Sequence, residues 1–234
     1  VGLAMLAGCN PAPEGEPVIR TELGSPDSAV EPEAMPEVVT ETLPSPAPSA
    51  VSACASVRFE DVPLIHCVAN PKKHRISTAL APGAGQPFGS LPALAQSMET
   101  SSVVFAVNAG AFGDDLRPLG YFVEDGERLA ELDRSDGQGN FYLKPNGVFF
   151  GTGATWRILT TERFYSTVRD RPQFGTQSGP MLVIDGELHP EIADNGPSRA
   201  VRNGVGIDSE GKAHFVKSEA PLSFGQLARF YRDE

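Results

Sequence analysis

Basic residues are scarce in this chain: 19 lysines and arginines stand against 30 aspartates and glutamates, a formal charge of −11. Nucleic acid is therefore not expected as a partner, because neutralising phosphates takes clustered Lys and Arg. Several catalytic signatures are also missing. No HExxH occurs, and His66, His74, His189 and His214 show no metal-ligand spacing, so the sequence gives no reason to expect a zinc site. Ser178 follows Gly175-Thr176-Gln177, which is not the elbow of a serine hydrolase. Walker A and dinucleotide fingerprints are absent, and no cofactor is expected.

Aromatic residues are missing from 10–53, a stretch with nine prolines and seven glutamates. Such a composition cannot bury enough apolar surface to offset chain entropy, and it predicts an extended, disordered tether. Eight acidic residues and one basic residue, Arg20, place −7 of the formal charge between 10 and 50. The remaining −4 leaves the folded part only mildly acidic, and the charge run reads as a solvated spacer.

Cysteine is limited to three residues. Cys9 closes the run Leu6-Ala7-Gly8-Cys9, where small side chains precede a thiol, the pattern of a lipobox. Residues 1–9 thus read as the remnant of a lipoprotein signal peptide, with a ragged apolar end as the alternative. The expected location is the cell envelope, with the chain exported and held to the membrane by a lipid on Cys9. In such an oxidising compartment Cys54 and Cys67 can pair, and the alternative is two buried thiols.

One domain is expected over 54–234. The stretches 57–68 and 75–81 are strand-like, 91–98 reads as a short helix with Leu91, Leu94, Ala95 and Met98 on one stripe, and the apolar run 102–107 predicts a strand buried on both faces. An acidic residue followed by glycine interrupts strand-forming residues at Asp125-Gly126, Asp185-Gly186 and Glu210-Gly211, predicting hairpins over 121–132, 181–188 and 205–216. A fourth is expected over 148–159 around Gly151 to Gly153. Residues 223–232 predict a helix with Ser223 as N-cap and Gln226 in the capping-box position. The fold class is α+β, a mixed or antiparallel sheet with several hairpins and a few packed helices.

Polar residues next to glycine recur at strand ends: Asn108-Ala109-Gly110, Asn146-Gly147, Gln177-Ser178-Gly179 and Arg202-Asn203-Gly204. Glycine allows a ligand to approach closely, while the adjacent amide or guanidinium supplies directed hydrogen bonds. Each motif singly also reads as a tight turn. Arg202 and Arg199 are candidate anion binders, since a guanidinium fork matches two oxygens of a phosphate; for Arg199 a salt bridge to Asp194 or Glu191 is the favoured reading. Asp114, Asp115, Asp185 and Asp194 are candidate acids or bases for glycosyl transfer, with Asp185 better read as a turn residue.

Together, VFAVNAGAF at 104–112, GNFYLKPNGVF at 139–149, TQSGPMLVIDG at 176–186, RNGVGI at 202–207 and SFGQLARFYRD at 223–233 resemble, in order and spacing, the phosphodiester glycosidase domain. The resemblance is to the bacterial branch of the family that includes the mannose 6-phosphate uncovering enzyme, and it implies hydrolysis of sugar-1-phosphate diesters in envelope or extracellular glycans. By position it implies a pocket lined by Asn108, Gln177, Ser178, Arg202 and Asn203, with a glycan or sugar phosphate as partner. Family members continue past the helix matching 223–233 into a turn that adds an acidic residue, which is expected beyond Glu234. The alternative function is a non-catalytic envelope lipoprotein that binds glycan or protein through the same cleft.

Overall fold

Glu60 and Asp61 adopt positive φ, 44° and 65°, and fold the strand-like stretch 57–68 into a hairpin. In the computed structural model, which describes residues 53–83 and 85–234, its strands are β1 (Cys54–Phe59) and β2 (Val62–Ala69). The signal-peptide remnant and the tether lie outside the described residues, save for the tether's last residue, Ala53. Register places Cys54 opposite Cys67, and the two are joined by a disulfide. A bridge closing a loop of this size contributes roughly 3 kcal/mol in the chain-entropy model.

The chain continues through α1 (Leu91–Gln96), β3 (Phe122–Glu124), β4 (Glu127–Ala130), β5 (Gly147–Thr152), β6 (Thr155–Thr160) and α2 (Thr161–Thr167). Then come β7 (Phe174–Ser178), β8 (Val183–Ile184), β9 (Glu187–Leu188), β10 (Asn203–Ile207), β11 (Ala213–Ser218) and α3 (Phe224–Asp233). All four expected hairpins form, as β3–β4, β5–β6, β8–β9 and β10–β11. Asp125 and Asp185 take positive φ at two of their turns. One sheet has the order β1-β2-β11-β10, a second β4-β3-β7-β5-β6, and β8-β9 is a small ribbon. Every pairing is antiparallel, and the class is α+β.

Strand alternation decides the layers. Cys67, Ala69, Ala213 and Phe215 of the four-stranded sheet share a core with Phe149, Trp156 and Phe174 of the five-stranded sheet. On the other side of the five-stranded sheet, Val123, Val148 and Phe150 pack with Phe164 of α2. On the other side of the four-stranded sheet, Leu64 and Val216 pack with Leu227 and Phe230 of α3. Ser223 caps α3, and its capping box with Gln226 is complete in both directions.

Three expectations are corrected. The run 102–107 joins no sheet; Phe105 and Val107 reach the inter-sheet core while Val104 remains 57% exposed. An apolar run signals burial, and here burial on one side is met without a ladder. Residues 75–81 likewise form no strand, although Thr78 Oγ1 donates to the Val123 carbonyl and Leu80 N to Glu124, tying the segment to β3. The 91–98 helix forms only as α1, capped by Ser90, and buries none of its own residues; Leu91 and Met98 stay exposed.

Candidate functional site

The motif residues fall on three surfaces, and the period of two explains the division. In β7, Gln177 pairs with Val148 and so faces α2, whereas Ser178 turns to the inter-sheet side. At β10, Asn203 pairs with Lys217 and faces inward like Val205 and Phe215. Arg202, one residue earlier, exchanges backbone and hydroxyl bonds with Ser218 and faces α3. Each dipeptide, Gln177-Ser178 and Arg202-Asn203, thus sends one member inward and one outward.

Inward-facing Asn203 and the backbone at the end of β7 meet a common segment. Asn203 Nδ2 donates to the Asn108 carbonyl at 2.8 Å, and Ala111 N donates to the Gln177 carbonyl at 3.1 Å. Residues 108–111 therefore bridge the start of β10 and the end of β7. Gly110 makes this possible: its φ is +66°, and a Cβ there would strike Thr176 Oγ1 and approach the Gln177 carbonyl. Asn108, Ser178 and Asn203 are all exposed at this mouth. Lys217, also exposed and directly cross-strand from Asn203, brings a cation that the sequence reading passed over. Hairpin register was its available signal.

The outward members hold the fold together. Gln177 is 1% exposed; its Oε1 accepts from Tyr121 N and Asp133 N, and its Nε2 donates to the Asp133 carbonyl and Thr161 Oγ1. Arg202 lies with its guanidinium 3.7 Å from the Phe224 ring centre and donates to the Leu222 carbonyl and to Ser198. Burial lowers its pKa from the ordinary arginine value. The expected convergence of Arg202 with Asn108 is not met, because the two lie across the four-stranded sheet from one another. Gly204 and Gly206 do not open the strand to a ligand: they make room for the Tyr231 ring of α3.

Other candidates also resolve. Arg199 donates to Gln226 Oε1 and Asn195 Oδ1, in place of the expected salt bridge to Asp194 or Glu191. Asp185 sits in the β8–β9 turn, 3.5 Å from Arg163, as a turn residue should. Asn146 is buried and donates to the Phe141 carbonyl, so its motif is an internal brace. A cleft of about 360 Å³ opens elsewhere, lined by Arg134, Lys144, Asn146, Thr161 and Glu162, with none of the five expected site residues on its wall. Its cations are already matched, Arg134 by Glu162 and Lys144 by Asp136.

The molecule is thus an α+β domain of two facing antiparallel sheets, with an amide-, hydroxyl- and ammonium-bearing mouth between strand ends. A family model described as phosphodiester glycosidase matches residues 101–233, more than half of the chain, and the chain belongs to that family. The protein of Escherichia coli (strain K12) named "Uncharacterized protein YigE" is 34% identical over 160 residues, which cover 68% of this chain and 62% of the relative's length. The catalytic domain of zebrafish N-acetylglucosamine-1-phosphodiester alpha-N-acetylglucosaminidase, auto-inhibited by its pro-peptide, is similar at 17% identity and a TM-score of 0.37, over 54% of this chain and 46% of that one.

Proposed function

We propose that this protein hydrolyses sugar-1-phosphate diesters of envelope or extracellular glycans at the mouth formed by Asn108, Ser178, Asn203 and Lys217. The observation that carries this reading is the bridge at 108–111, where segments lying within the family match bring the Asn203 amide of β10 and the end of β7, with its exposed Ser178, to one segment. In the reaction, water adds to the anomeric carbon and the bond from that carbon to the phosphate oxygen breaks. Free sugar and a phosphate monoester leave, and one proton of the water is released. Lys217 is suited to the phosphate as a point charge, and the Asn203 amide and Ser178 hydroxyl to sugar hydroxyls. A phosphate monoester is a good leaving group, so little acid assistance is needed.

The full-length protein is expected to turn over at least one member of a panel of sugar-1-phosphate diesters, and Asn203→Ala to lower kcat/KM about 100-fold with the fold intact. No turnover across the panel would overturn the reading. Glycan binding without turnover would favour the second reading, a binding lipoprotein. The commitment of Gln177 and Arg202 to structural bonds supports that alternative.

Export and a lipid on Cys9 belong to the same proposal, and the Cys54–Cys67 bridge supports them because disulfides persist in oxidising compartments. Cys9→Ser is expected to abolish incorporation of labelled palmitate and release the protein from the membrane fraction. Unchanged labelling would rule out Cys9 as the attachment point.

A further inference from the structure

His66 and His214 stand 148 residues apart in sequence, and antiparallel pairing of β2 with β11 brings them together on the α3 face of the four-stranded sheet. His66 Nε2 lies 3.0 Å from His214 Nδ1. The end of α3 delivers a third donor, with Glu234 Oε2 3.9 Å from His214 Nδ1. One ligand atom from each residue falls within 4.8 Å of the others. On an ion with bonds of about 2.1 Å, tetrahedral donors stand roughly 3.4 Å apart, within the range these atoms span.

The outer contacts match what a metal-bound imidazole needs. His214 Nε2 faces Asp208 Oδ2 at 3.1 Å, and the other oxygen of Asp208 accepts from Glu210 N and Lys212 N at 2.8 Å each. Such a fixed carboxylate holds the proton on Nε2 and directs the Nδ1 lone pair into the cluster. Phe230 packs edge-on against the His66 ring with centroids 5.3 Å apart, fixing its plane. The His214 side chain is 12% exposed and that of Glu234 44%, so the cluster is supported from within and open on one side.

The geometry points to a divalent transition-metal site formed by His66, His214 and Glu234, with Asp208 as the orienting carboxylate and an open position toward solvent. Two imidazoles and one carboxylate suit Zn²⁺, Co²⁺ or Ni²⁺ over Mg²⁺ or Ca²⁺. The site is separate from the 108–111 mouth, being on the opposite face of the same sheet. Sequence spacing could not show it, because no two of its ligands share an element.

The test is titration of the full chain, without a histidine tag, with Zn²⁺ by calorimetry and with Co²⁺ by visible absorption at neutral pH. One equivalent of Zn²⁺ is expected to bind, with Co²⁺ giving the bands of a low-coordinate nitrogen and oxygen site. His214→Ala and His66→Gln are expected to weaken binding at least about 100-fold, and Asp208→Asn about 10-fold. Asn203→Ala should leave it unchanged. If His214→Ala does not fold, as judged by circular dichroism in chelator, His66→Gln and the wild-type Co²⁺ spectrum decide. No uptake of either ion at about 1 mM would show a hydrogen-bonded imidazole pair only and overturn the site. Wild-type affinity retained in both histidine variants would overturn it too, by placing the ion elsewhere.

Discussion

Gln177→Leu is expected to destabilise the domain by about 4 kcal/mol, although the substitution nearly conserves volume. From β7, the Gln177 amide ties together three points beside the five-stranded sheet: Tyr121 just before β3, Asp133 beyond β4, and Thr161 at the start of α2. Leucine would leave the N–H groups of Tyr121 and Asp133 without this acceptor, at about 1–3 kcal/mol for each group kept from water. The carbonyl of Asp133 loses a 2.6 Å bond as well. Equilibrium unfolding in urea with the disulfide intact measures the effect through the midpoint, at unchanged slope. A loss below about 1 kcal/mol would mean that water or neighbouring groups replace the amide, and Gln177 would then lose its role as a brace.

Phe149→Ala should cost a similar amount by a different route. Phe149 is 6% exposed and meets Phe174 edge-on at 5.1 Å and Phe215 at 5.9 Å, so its ring links the inner faces of both sheets. Phe215 in turn touches Phe105 at 5.2 Å, extending the contact to the segment that leads into the 108–111 bridge. Truncating a buried phenylalanine costs about 3–5 kcal/mol, a large share of a typical domain's total of about 5–15 kcal/mol. Phe149→Leu keeps most of the apolar volume and should cost about 1.5 kcal/mol or less. Hydrogen exchange should also rise at 103–111 in the alanine variant more than in α2, which packs on the other side of the sheet. Equal loosening of α2 would show that the ring does not act through the inter-sheet layer.

Local features were legible before the fold was known. The acid-glycine pairs at Asp125, Asp185 and Glu210 gave three hairpins because the turn chemistry lies within a few residues. The Ser223 and Gln226 capping box gave the start of α3 for the same reason. The apolar run at 102–107 misled because composition reports burial and not pairing. Its Phe105 and Val107 are taken up by a core that two sheets have already built.

The candidate site was legible only in part. Reading motifs as units grouped Gln177 with Ser178 and Arg202 with Asn203, but neighbours on a strand point to opposite faces. The glycines of RNGVGI read as room for a ligand, and the room is filled by Tyr231 from the next helix. Lys217 carried no motif at all; only the register of β10 with β11 sets it beside Asn203.

By itself, the sequence determined the family, the hairpins, the capped last helix and the two cysteines able to pair, because each depends on residues close together or on an ordered set of motifs. The tertiary structure alone decided which face each polar residue occupies, that Arg202 and Asn108 lie apart, and that His66, His214 and Glu234 meet. The physical reason is the two-residue period of a strand: a shift of one position reverses every side chain, and the register that fixes it depends on packing between strands distant along the chain.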